Sequence, residues 1–320
     1  MKVSDVVVLS SMSIAATLFF RRLIKIRSSV ALFNRLCERL KFETRPKSYF
    51  RVAITGTTKG IGKACLDLLT GFESVEVCPI SRIDCGSVGI HVELRNALSC
   101  NNFADSLTKM WFTGERIHSG EDIVVHNAGV FRSSVLSDVF RVNALAPCYI
   151  TEALCNSYQS SASSRSLRFV YVGSRLEKRS NVDDSNIRET FLNGISDIEA
   201  CRNENAYADS KRAVMLHTSY MCSKYRELRP VSFGVVTPGM VNTDIGRSSV
   251  TALVWFITAP LRFLFLRHPI EGAVAVLYAA FSDQNGLYAG DPGEILEYIP
   301  DSRSACGGRV LSELIRDYFK

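Results

Sequence analysis

The sequence has no C-x-x-C pair and no clustered Cys/His set among its ten cysteines, which run from Cys37 to Cys306. That scatter excludes a zinc module and a small disulfide scaffold, so a reducing compartment is the simpler reading and no metal is expected. Most of the chain also lacks a charge excess. Residues 1–50 hold ten Lys/Arg against three acids, so of the formal +6 the remainder carries only −1. A basic surface spread over the whole domain is missing, and with it the electrostatic footprint of a nucleic-acid partner. The composition is neither disordered nor collagenous, with 47% hydrophobic and 22% charged residues. At 320 residues the chain fits one large domain with appendages.

The basic head has a local explanation. Residues 6–20 (VVVLSSMSIAATLFF) are apolar and uncharged, and Arg21, Arg22, Lys25 and Arg27 follow them. A cleaved secretory signal carries its cations before the apolar run. Cations placed after it suit an uncleaved anchor that keeps the rest of the chain cytosolic, with the endoplasmic reticulum as the expected membrane. A mitochondrial presequence is the rival, because the segment is rich in Ser and Arg and poor in acid; a plain buried or surface helix is the third reading. Val30, Phe33, Leu36, Cys37 and Leu40 then recur at helical spacing among Arg35, Arg39 and Lys41. This pattern fits a helix on a membrane surface or an ordinary core helix. Arg45-Pro46-Lys47 breaks it, so residues 1–47 read as anchor and basic amphipathic linker.

From 48 to 300 the chain alternates strand and helix patterns. Apolar strands are predicted over 51–55, 75–80, 89–94, 122–126, 168–173 and 231–237, most of them separated by helix-length stretches. This is the pattern of an α/β fold with a doubly wound parallel sheet, the Rossmann arrangement, in a single domain; residues 301–320 read as a helical tail. Such sheets bind ligands beyond the carboxyl ends of their strands. Those ends carry Gly56-Thr57-Thr58-Lys59-Gly60-Ile61-Gly62, Asn127-Ala128-Gly129, Ser174 and Pro238-Gly239. In the first of these, glycines let the backbone turn and approach a pyrophosphate, while the following helix offers free N–H groups to an anion.

With T-G-x-x-x-G-x-G at 55–62, N-A-G at 127–129, Asn143, Ser174, Tyr207-x-x-x-Lys211, and Pro238-Gly239 with Thr243, the chain resembles the short-chain dehydrogenase/reductase family over roughly residues 48 to 295. The stretch from 261 to 290, with P-I-E-G-A at 269–273, is similar to the retinol-dehydrogenase-like branch. The resemblance implies hydride transfer between a nicotinamide dinucleotide and a carbonyl or alcohol. It implies Tyr207 as proton donor or acceptor, Lys211 as its electrostatic partner and holder of the nicotinamide ribose, Ser174 on the substrate oxygen, and Asn143 holding a water that links Lys211 to solvent. A catalytically silent nucleotide-binding scaffold or redox sensor is the rival reading, and a scaffold does not need all four. His126 departs from the family pattern, where an Asn precedes N-A-G, and is expected to weaken a bond between neighbouring strands. Glu93 stands where an Asp commonly lies near the adenine.

Tyr220-x-x-x-Lys224 repeats the tyrosine motif. Both pairs lie on one predicted helix, and at 1.5 Å per residue Tyr220 sits roughly 20 Å farther along, towards the wrong end of the sheet. Tyr207 is therefore the candidate. For the dinucleotide, strand two ends in Ser81-Arg82 and Lys59 lies inside the glycine loop, so two cations are available to a 2′-phosphate; this favours NADP(H) over NAD(H), with Asp84 nearby as a reservation. The interval from Ser174 to Tyr207 is long and polar, an insertion beside the site or a solvated loop. Residues 250–266 (VTALVWFITAPLRFLFL) read as an apolar lid over a lipophilic substrate such as a retinoid, steroid or fatty-acyl-derived ketone, or as a core helix. Membrane lipid is the second expected partner, and a homodimer is an admissible assembly.

Overall fold

The computed structural model describes residues 3–40, 49–82, 89–113, 119–195, 205–228, 230–243, 245, 258, 262, 264–289, 295–297 and 302–319. It describes only the backbone of 3–16, 136, 287–289, 295–297 and 302–304. Most of the expected lid over 250–266 lies outside the described residues, and so does Asp84.

The strands are β1 (Phe50–Thr55), β2 (Val75–Ser81), β3 (Ile90–His91), β4 (Glu121–His126), β5 (Ser166–Val172), β6 (Val231–Val236), β7 (Leu287–Ala289) and β8 (Ile295–Glu297). They form one sheet in the order β3-β2-β1-β4-β5-β6-β7-β8. Every neighbouring pair is parallel except β7 with β8. All six residues of β1 are buried, because helices cover both faces, and this is why such strands read as continuous apolar runs rather than alternating ones. The chain therefore has the doubly wound α/β fold, and all six predicted strands exist; β3 is cut to two residues.

On one face α3 (Ala97–Phe112), α5 (Ala146–Ser160) and α7 (Ala206–Lys224) contribute Phe103, Leu154 and Leu216 to a core layer. On the other, α2 (Gly60–Leu69) and α8 (Pro269–Ala280) bring Cys65, Leu69 and Val276 together with Leu36 and Leu40 of α1 (Val3–Leu40).

The head differs from expectation. Residues 3–40 form one helix, and among the described residues no helix is long and apolar enough to cross a membrane. An uncharged stretch of fifteen residues spans only about 22 Å before the cations begin, short of a hydrocarbon core of about 30 Å. Arg22, Ser29, Leu32, Leu36 and Leu40 are buried along one stripe, so the second half of α1 is a core helix rather than a surface linker.

The interval from Ser174 to Tyr207 is not a bare loop. It contains a 3-10 turn (Arg175–Arg179) and α6 (Ile187–Ile195), which buries Ile187 and Phe191. The final helix, α9 (Ser302–Tyr318), lies on α7 so closely that a Cβ on Gly308 would overlap the Leu216 carbonyl oxygen.

Candidate active site

The glycine loop joins β1 to α2. Gly56 and Gly60 have φ of 75° and 65°, conformations that suit glycine. A side chain on Gly62 would overlap Gly56 O and the Asn127 amide, so the first turn of α2 lies directly against the loop. Thr55 Oγ1 accepts the Asn127 and Ala128 backbone N–H groups, both at 3.0 Å, and Asn127 Nδ2 donates to Thr55 O at 2.9 Å. These bonds tie the carboxyl ends of β1 and β4 together behind the loop.

His126 does not serve that tie. It sits at 2.9 Å from Thr151 Oγ1 on α5 and stacks on Tyr171 of β5 at 4.8 Å, while Tyr171 donates to the same hydroxyl at 2.6 Å. Burial pushes its pKa down to about 3, so the ring is neutral and structural.

Asn143 lies in a π turn (Arg141–Leu145) between α4 (Leu136–Phe140) and α5. Its Oδ1 accepts Val130 N–H at 2.8 Å, and its Nδ2 donates to Val130 O at 2.8 Å and to Ser210 Oγ at 3.1 Å. The wide turn thus clamps the segment after Gly129 onto the start of α7. Ser174 follows β5 and caps the 3-10 turn, its Oγ accepting Leu176 N–H at 3.2 Å.

Tyr207 is the second residue of α7, and its ring meets Phe131 edge-on at 4.9 Å. Burial raises its pKa, opposed by a hydrogen bond with Ser174. One helical turn on, Lys211 Nζ lies 5.7 Å from the Tyr207 ring centre and donates to Val172 O at 2.7 Å. Burial pushes its pKa down to about 8.

Ser174, Tyr207, Lys211, Gly56, Thr58, Lys59, Gly60, Ile61, Arg82, Glu93, Asn127, Ala128, Gly129, Pro238, Gly239 and Thr243 line one cavity of about 440 Å³. Asn143 and Gly62 stand just behind its wall. Thr243 packs on Gly60, whose added Cβ would lie 3.3 Å from its methyl group. Glu93 is engaged by its neighbour, accepting Arg95 N–H at 3.2 Å. Lys59 and Arg82 are exposed at the end where β1 and β2 finish. Tyr220 lies elsewhere, against Gly308 under α9.

The residues present fit a dinucleotide. The glycine loop lines the open cavity, and the Thr57 hydroxyl within it is buried with no hydrogen-bond partner among the described residues. Sequence reasoning passed over Thr57, although it lies inside the motif, and Ser210, three residues from Tyr207 and beside Lys211. It also missed Phe131, for which no local signal exists. Among the described residues no group of three or more His, Cys, Asp or Glu could hold a metal ion.

The sequence matches no protein-family model and no curated protein. Solved structures do share the fold. The 3-alpha-hydroxysteroid dehydrogenase of a Pseudomonas species, complexed with NADH, aligns with a TM-score of 0.57 at 22% identity, over 76% of this chain and 96% of that one. NADPH-bound carbonyl reductase from chicken fatty liver aligns at 0.55 and 17% identity, over 79% and 100%. A short chain dehydrogenase from Burkholderia cenocepacia in complex with NADP aligns at 0.52 and 15%, over 77% and 88%. At such identities the likeness establishes the fold.

Proposed function

We propose that the chain is a short-chain dehydrogenase/reductase that uses NADP(H) to interconvert a lipophilic carbonyl and its alcohol. The observation that carries this reading is the convergence of Ser174, Tyr207 and Lys211 on the glycine-loop cavity, with Asn143 bracing its wall. The dinucleotide supplies or accepts the hydride. Ser174 and Tyr207 hold the substrate oxygen, and Tyr207 gives it a proton during reduction; burial keeps that proton in place at neutral pH. Lys211 stabilises the phenolate left behind and offers its remaining donors to the ribose. Lys59 and Arg82 on the cavity lining support NADP(H), as two cations available to a 2′-phosphate. Phe131 and Ile245 add apolar surface to the cavity lining, which suits a retinoid-, steroid- or acyl-like substrate of the kind the resemblance to the retinol-dehydrogenase-like branch implies.

Purified protein mixed with lipophilic aldehydes, ketones and alcohols, followed by NADPH absorbance, tests the reading. Turnover of at least one such compound is expected. Failure to bind either dinucleotide overturns it.

Membrane lipid enters the same proposal through α1, where Phe19, Phe20, Leu23 and Ile24 are exposed among Arg21, Lys25 and Arg27. That mixture suits the cytosolic face of the endoplasmic reticulum, with a mitochondrial membrane as the alternative. Flotation with anionic vesicles, lost on deleting residues 1–28, is the expected result; a full-length chain that stays at the bottom of the gradient refutes it.

A further inference from the structure

Arg22 is one of the four cations that follow the apolar run, yet it is 5% exposed and makes a two-point ion pair 249 positions along the chain. Its guanidinium donates to Glu271 Oε1 at 2.7 Å and to Oε2 at 2.6 Å. Glu271 Oε2 also accepts the His268 backbone N–H at 2.6 Å, and His268 Nδ1 accepts Ile270 N–H, a reciprocal cap on the first turn of α8. Burial alone would lift the Glu271 pKa; Arg22 and the His268 N–H hold it below the usual carboxylate range.

That first turn touches the cofactor cavity from behind. A Cβ on Gly272 would press on Val241 Cγ2 at 3.0 Å and Ile61 Cγ1 at 3.2 Å, so the helix backbone bears on both. Ile61 belongs to the glycine loop and Val241 to the segment after Pro238-Gly239, and both line the cavity. Two backbone bonds fix the second contact: Arg267 N donates to Met240 O at 2.8 Å, and Asn242 N donates to Arg267 O at 2.9 Å.

We propose that Arg22 is a positioning residue for the dinucleotide site, acting through Glu271 and the first turn of α8. The inference rests on the function proposed above. Without Arg22 a buried carboxylate loses its ion-pair partner and keeps only the through-space attraction of Arg267, so it is driven to take up a proton or turn towards water. Either response loosens the cap on α8 and the surface against which Ile61 and Val241 pack. Tyr207 and Ser174 stand on other elements, so the effect falls on dinucleotide affinity rather than on the chemical step. It also makes α1 more than an attachment: its docking on the domain and the shape of the cofactor loop share one ion pair.

The test is full-length Arg22→Ala, with the NADPH dissociation constant read by fluorescence and KM for NADPH and kcat read at saturating substrate. About a tenfold loss of affinity is expected, with a matching rise in KM and kcat within about twofold. The double variant Arg22→Met with Glu271→Gln, which removes both charges but keeps an oxygen for the cap, should restore affinity to within about threefold. Should the single variant not fold, Arg22→Lys against the double variant decides the matter, because one contact in place of two weakens NADPH in the same direction. Lower thermal stability with unchanged NADPH affinity overturns the inference, as does a fall in kcat with KM unmoved. A wild-type chain that binds no dinucleotide overturns the proposed function and this inference together; a wild type that binds, with Arg22→Ala binding equally well, overturns the inference alone.

Discussion

Tyr207→Phe removes one oxygen and leaves the ring, and the repeated motif on α7 supplies its control. Lys211 Nζ stands 5.7 Å from the Tyr207 ring centre, and Lys224 Nζ stands 5.7 Å from that of Tyr220, so the two pairs are locally the same. What differs is their surroundings. Tyr207 faces the cavity beside Ser174, whereas Tyr220 is packed beneath α9 at Gly308. The ring that remains in the variant keeps its edge contact with Phe131, so folding should lose no more than one hydrogen bond, about 1 kcal/mol. Loss of the proton donor should lower kcat by about 10² to 10⁴-fold. NADPH affinity, measured separately by fluorescence, should stay within about threefold, because the loop, Lys59 and Lys211 are untouched. Tyr220→Phe should cost about the same in stability and leave kcat within about twofold. Equal losses of kcat in both variants would show that position along the helix does not select the tyrosine, and the assignment would fall.

Replacing Lys59 and Arg82 by neutral residues should weaken NADP(H) by roughly 1.5 to 3 kcal/mol for each charge-assisted bond lost while leaving NAD(H) nearly unchanged; titrations showing the same factor for both dinucleotides would remove these cations from the 2′-phosphate. Lys211 should leave a signature in stability against pH. Its folded pKa of about 8 lies below the ordinary lysine value of 10.5, so between those values the unfolded chain binds more protons and the contribution of this group to stability rises with pH. Across that window the wild type should gain about 3 kcal/mol relative to Lys211→Met in denaturant titrations, and parallel curves for the two proteins would contradict the burial of this amine.

The strands were legible because each is a short apolar run closed by a turn or a helix pattern, and the strand-end segments at 56–62, 127–129, 174 and 238–239 because a parallel sheet presents its loops at one edge; Asn143, Tyr207 and Lys211 were marked by the family resemblance instead. β8 was not legible: three residues cannot show a period. The role of α1 was ambiguous for a different reason. Val30, Phe33, Leu36, Cys37 and Leu40 at helical spacing among cations describe a core stripe and a membrane face equally well; the fold buries Leu36 and Leu40 and leaves Val30 exposed, a split only the position of the partner surface decides. The Arg22–Glu271 pair carried no local signal at all. P-I-E-G-A was visible as a helix start, but a cap that also receives a guanidinium from the far end of the chain is a fact of tertiary structure. In the stretch from Ser174 to Tyr207, polar residues outnumber apolar ones, yet its described part buries Val182, Ile187 and Phe191.

The two ends of the sheet divide the cations by task. At the amino ends Arg51 and Arg165 both donate to Asp122 Oδ1, at 2.7 and 2.6 Å, and Arg165 also reaches Tyr49 O. Nearby Arg168 is buried and satisfied by Ala279 O, Gln284 O and Ser232 Oγ, and burial pushes its pKa down to about 10, which leaves it charged at neutral pH. Each of these cations is held by partners that fix a strand to another strand, a helix or a loop, so its charge serves the fold. At the carboxyl ends Lys59 and Arg82 are exposed, and Lys211 gives one bond to Val172 O. The glycine-loop helix adds the positive end of its dipole at the same edge. Parallel strands produce this polarity by placing the N-terminus of the following helix at the carboxyl edge, so an anionic ligand is drawn there before any side chain is chosen. At this edge Lys59, Arg82 and Lys211 line the cavity and add their charges to a field the backbone already supplies, whereas Arg51, Arg165 and Arg168 at the amino edge are bound to groups that fix the strands.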